Sequence, residues 1–173
     1  MLKKIIFHPV FLILIGAILG VSSKYGDIAY ANTFPSYFGL LSSGILIWLV
    51  LCTNILLFTA KKKQAMFLIV SLILPMLTSY YLFSYFVVKY LSVKVVVFWI
   101  IMLLLSLLTT HYVWNIRFSK KFRTLFIIAS ILFVTYDAFN VNSFEFLILI
   151  PEIILAIITL LVINKSIKNQ TDK

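Results

Sequence analysis

The chain has 173 residues, of which 63% are hydrophobic and only 12% charged, with a mean hydropathy of +1.13. Ordinary globular domains carry about 25% charged residues, so a soluble domain is a poor fit and a membrane protein a good one. The net charge of +10 does not single out nucleic acid, because the basic residues flank apolar runs, and a lone cysteine, Cys52, excludes an internal disulfide or a CxxC metal or redox site.

In chain order the pattern predicts an all-α, polytopic membrane bundle of six transmembrane helices, one domain over 1–173. The first span, about Ile5 to Val21, follows Lys3 and Lys4. With the small residues Ala29-Tyr30-Ala31 beyond it, this segment imitates a cleavable signal, but Lys24 and Asp27 intervene. The second span covers about Tyr37 to Ala60 and ends at three lysines, Lys61 to Lys63. The third, about Ala65 to Val88, contains Pro75, where a kink is expected because Pro cannot donate to the Ser71 carbonyl. The fourth runs from about Val93 to Val113, with Trp99 and Trp114 near its two headgroup belts. The fifth, Thr124 to Phe139, is the shortest, with about 16 mostly apolar residues where about 18 are usual. Five spans plus a re-entrant or cleaved segment is therefore the alternative architecture. The sixth spans about Phe144 to Ile163, before a polar tail.

Threading these spans through a bilayer sorts the charges. One side collects Lys3, Lys4, Lys61, Lys62, Lys63, Arg117, Lys120, Lys121, Arg123, Lys165, Lys168 and Lys173, and the other only Lys24, Lys89 and Lys94. Loops rich in Lys and Arg stay in the cytoplasm, so both termini are expected there, in a bacterial plasma membrane. Asp27, Asp137 and Glu145 map to the opposite, outer rim together with most of the tyrosines.

Glu152 is the sharpest candidate. It lies about eight residues, or roughly 12 Å, into the sixth span, where a carboxylate is costly unless it faces the bundle interior or water. Glu145, Glu152 and Thr159 share one helix face at seven-residue spacing. With Asp137 at the rim, and with Tyr81 and Tyr85 on a hydroxyl-bearing face with Thr78, they suggest a polar site opening outward. Such a site suits a small cationic or heteroaromatic solute. The competing reading is a neutral Glu152 hydrogen-bonded to a neighbouring helix, a solvated Asp137 and merely interfacial tyrosines. Gly16, Ala17 and Gly20 form a small-residue face that allows close helix approach, either within the bundle or to a membrane-protein partner. His8 and His111 stand without further ligands, so no metal is expected, and no cofactor or catalytic motif is apparent.

Ser42-Ser43-Gly44 with Trp48, Tyr80-Tyr81 with Tyr85, Phe98-Trp99 and the basic stretch Arg117 to Arg123 give the middle of the chain a resemblance to a family of uncharacterised bacterial six-helix integral membrane proteins. That resemblance implies topology and no activity. In size and span count the chain is also similar to the substrate-binding subunits of energy-coupling-factor transporters, whose likeness implies an outward pocket and a partner met through the small residues of the first helix. The function expected is small-solute binding or transport association. The alternative is a non-transporting interaction protein: an immunity, assembly or regulatory factor.

Overall fold

The computed structural model describes the backbone of residues 8–28, 45–89, 93–140 and 146–171. The side chains of residues 27, 45, 95, 98, 136–140, 146–149 and 170–171 fall outside that description. The side chains of Asp27, Phe98 and Asp137 therefore lie outside the described residues, and Ala29 to Ala31, Ser42 to Gly44 and Glu145 lie outside them altogether. Among the described residues the fold is all-helical, with six long helices. These are α1 (Pro9–Ile28), α2 (Ile45–Phe58), α3 (Lys62–Phe83), α4 (Val93–Val113), α5 (Lys120–Asn140) and α6 (Phe146–Thr171). A π-turn, Ser84–Val88, extends α3, and a 3-10 turn, Trp114–Ile116, follows α4. Four helices contain stretches long and apolar enough to cross a membrane: Pro9–Gly26, Lys62–Val88, Trp99–Ile116 and Ile150–Asn169.

Several ends differ from expectation. α1 continues seven residues past Val21 to Ile28, since nothing between Val21 and Pro35 forbids helix and Lys24 finds a site on Tyr80. α5 begins at Lys120 and runs unbroken for 21 residues, a turn longer than its apolar stretch. α6 continues through the polar tail to Thr171, with Lys168 placed to complement the negative end of the helix dipole. The hydropathy of a segment marks where lipid contact ends, whereas backbone hydrogen bonding persists into the interface.

The small-residue face of α1 packs on α3. A Cβ added at Gly16 would run into the Leu72 carbonyl oxygen, and one at Gly20 into the Met76 carbonyl oxygen and the Ser79 hydroxyl. The missing side chains let the two backbones approach, and the Ser79 hydroxyl donates across the gap to the Ala17 carbonyl at 2.9 Å. Internal packing is thus the use the described structure gives this face.

α2 occupies the middle of the bundle. Its sequence, ILIWLVLCTNILLF, is apolar on every side because it contributes to two cores. Trp48 and Ile55 join Leu12 and Leu19 of α1 and Leu68, Leu72 and Met76 of α3. Val50, Leu56 and Leu57 join Phe122 and Phe126 of α5 and Ile163 of α6. α4 rests mainly on α3, and α5 on α6 and α2. α4 and α5, consecutive in sequence, thus belong to different halves of the bundle.

Candidate functional site

On α6, Glu152, Thr159 and Ile163 are all buried, at 2%, 1% and 0% exposure, and lie on one face at intervals of seven and four residues. That face meets α2, where the Asn54 side-chain amide donates to the Thr159 hydroxyl at 3.0 Å and to the Val50 carbonyl at 2.8 Å. Glu152 lies on the same face two helical turns nearer the start of α6, and its Oε2 is enclosed.

Tyr81, on α3, is half-buried against the first core, with its ring edge-on to Tyr80 at 5.2 Å. Lys24 covers the other partner of that pair: its Nζ is 5.0 Å from the Tyr80 ring centroid and 3.4 Å from the Tyr80 hydroxyl. Tyr85 is 64% exposed on the π-turn. A π-turn holds more residues than an α-turn, so it rotates Tyr85 off the face that sequence spacing assigned it. Thr78 is exposed, with its hydroxyl bonded to the Leu74 carbonyl. Glu152 thus lies on the buried α6 face that carries Thr159, Tyr81 packs against the core that α1, α2 and α3 share, and Tyr85 lies on the exposed π-turn.

A cavity of about 400 Å³ lies between α4 and α5. It is floored by Trp48, Cys52 and Thr53 of α2 and walled by α4 on one side and α5 on the other. Its existence follows from the packing: α4 leans on α3, α5 leans on α6, and α2 between them is too slender to fill the gap. Leu105 of α4 and Leu125 of α5 both line the cavity and remain 50% exposed, so they mark its mouth, on the flank of the bundle.

The lining carries no charged side chain. Two of its hydroxyls are already committed, because Ser106 donates to the Leu103 carbonyl at 2.7 Å and Thr110 to the Ser106 carbonyl at 2.8 Å. The aromatic rings of Trp48, Trp99, Phe122, Phe126 and Phe133 supply much of the wall. Such a surface accepts apolar matter through contact and exclusion of water, and offers little to a polar ligand. Sequence reading missed these residues, since each is ordinary in a membrane helix; Trp48 and Trp99 were noted only for likeness and for interfacial placement.

At the end of the cavity nearest Val113 and Phe122, the chain turns through Trp114 to Ser119. The Arg117 guanidinium stacks 3.4 Å from the Trp114 ring centroid and 4.5 Å from that of Phe118, and Nη1 donates to the Trp114 carbonyl at 2.9 Å. Partial burial lowers its pKa from the ordinary arginine value, the direction expected of a cation short of water. Among the described residues no cluster of His, Cys, Asp or Glu is arranged to hold a metal ion. No family model, curated protein or solved structure matches this chain.

Proposed function

We propose that the chain is a six-span protein of a bacterial plasma membrane, with both termini cytoplasmic, that holds a small apolar molecule between α4 and α5. The observation that carries this reading is the uncharged cavity of about 400 Å³ opening on the flank of the bundle. Its size falls in the range of small-molecule sites, roughly 300–1,000 Å³. An opening at that level lets a lipophilic solute enter from the hydrocarbon rather than from water. The ligand differs from the cationic solute that the carboxylates and tyrosines suggested, because these walls hold no carboxylate to offset the desolvation of a cation. Four span-capable helices support the membrane placement, and the unbroken 21-residue α5 supports a crossing rather than a re-entrant hairpin.

Ala129, on the α5 wall, is the position to fill. Protein purified in mild detergent is extracted with organic solvent and the extract analysed by mass spectrometry. Wild type retains an apolar compound in near-stoichiometric amount, and Ala129→Phe loses it while still reaching the membrane. Equal retention by the filled variant rules the cleft out. The second reading, a non-transporting interaction protein, draws on α4: Val97, Ile101, Leu104 and Leu108 are all exposed, leaving a face that a partner's membrane helix could cover.

A further inference from the structure

The cleft is apolar along its length and cationic at one end. Along α4 it reaches from Trp99 to Val113, 14 residues or about 21 Å at 1.5 Å per residue. That exceeds the depth of one leaflet, about half of a 30 Å hydrocarbon core. Beyond Val113 comes the turn, with Arg117, Lys120, Lys121 and Arg123 inside seven residues. Lys120 and Lys121 are exposed. The Arg117 Nε is buried and has no hydrogen-bond partner among the described residues. Among the described residues Arg123 reaches a neutral acceptor, Asn164 Oδ1, at 3.2 Å. Glu152, the one acidic residue with a described side chain, lies twelve residues along α6 from Asn164, about 18 Å away. A cluster of cations without a described counter-charge thus caps a chain-length apolar groove that is open to the side.

We propose that this groove binds one anionic phospholipid from the leaflet on the side of the turn. An acyl chain lies between α4 and α5, having entered past Leu105 and Leu125, and the headgroup meets Arg117, Lys120 and Lys121. Trp114 and Phe118 hold the Arg117 guanidinium in place for a phosphate oxygen, which a free-swinging side chain would have to be ordered to meet. A zwitterionic lipid offers the same chain and phosphate but no net charge, so the basic turn separates the two classes. This inference rests on the cleft reading of the preceding section and adds the class of ligand.

The chain's own fluorophores provide the test. All three tryptophans border this region: Trp48 and Trp99 line the cleft and Trp114 stacks on Arg117. The full chain is reconstituted into phosphatidylcholine vesicles containing a minor fraction of phosphatidylglycerol, with bromine-labelled chains on one lipid at a time. Brominated phosphatidylglycerol is expected to quench tryptophan fluorescence beyond its share of the bilayer. Arg117→Gln and the pair Lys120→Gln/Lys121→Gln each reduce that preference, by roughly fivefold per cation removed. Ala129→Phe, or Thr109→Phe at the exposed rim, lowers quenching by both lipids. Equal quenching by both lipids, or a preference untouched by the charge variants, overturns the anionic-lipid assignment alone. Quenching that neither filled variant changes overturns the cleft reading as well. Should the filled variants fail to fold, the charge variants still decide the headgroup choice.

Discussion

Gly16 and Gly20 show how one absent atom sets a helix contact. At both positions the obstacle to a Cβ is a carbonyl oxygen of α3, and backbone cannot swing aside as a side chain can. Intrinsic helix propensity favours Ala over Gly by about 1 kcal/mol, while overpacking costs about 1–3 kcal/mol where neighbours can yield and more where they cannot. The clash therefore outweighs the propensity. Gly16→Ala and Gly20→Ala are both expected to lower the thermal midpoint of the detergent-solubilised protein, and a raised midpoint for either would mean that α1 and α3 are not in this register. Glu152 poses a different question, since its side chain is buried within the bundle. Gln keeps the shape and the hydrogen-bonding capacity of the side chain, so Glu152→Gln should change stability by less than about 1 kcal/mol. Glu152→Lys places a cation at this buried position, at a cost of about 3 kcal/mol or more. Comparable yields of folded Gln and Lys variants would show that the side chain faces water rather than the bundle.

At the scale of elements, a hydrogen bond from Asn54 to Thr159 fastens the α2–α6 seam. Such bonds average about 0.6 kcal/mol in membrane proteins and reach about 1.7. A double-mutant cycle with Asn54→Leu and Thr159→Val should return a coupling energy in that interval, and zero coupling would separate the two residues. The helices themselves were largely legible in the sequence, because an apolar run of about 20 residues has few other uses. Their ends were less so: α1 and α6 run on into polar sequence, where Lys24 reaches Tyr80 and Ile167 still packs on the second core. The seven-residue spacing of Glu152 and Thr159 did identify a buried face. The cleft was not legible, because it arises where α4 and α5 meet only sparsely. No residue pattern along one helix records how sparsely that helix meets a neighbour.

For the whole molecule, the arrangement of charge and the path of α5 must agree. Twelve of the fifteen Lys and Arg residues fall on one side if all six helices cross, the asymmetry that retains those loops in the cytoplasm. Were α5 to dip and return, the end of α6 would emerge on the opposite face, carrying Lys165 and Lys168 with it against that rule. A helix of 21 residues is about 31 Å long, close to the hydrocarbon thickness of about 30 Å, so length does not prevent a crossing. What weakens it is the basic first turn, Lys120, Lys121 and Arg123, whose long side chains can extend back toward the headgroups. In a Cys52→Ser background, single cysteines at Gln64, Ser119 and Asn169 should all be shielded from a membrane-impermeant maleimide applied to intact cells. A cysteine at Lys89, by contrast, should react at once. Labelling of the Asn169 position with Ser119 still shielded would mean that α5 turns back, and the headgroup site at its basic end would then need a different bilayer depth. Shielding of both leaves α5 as a full crossing, with its basic end and the mouth of the cleft presented to the cytoplasmic leaflet, where anionic lipids supply the counter-charge that the turn lacks.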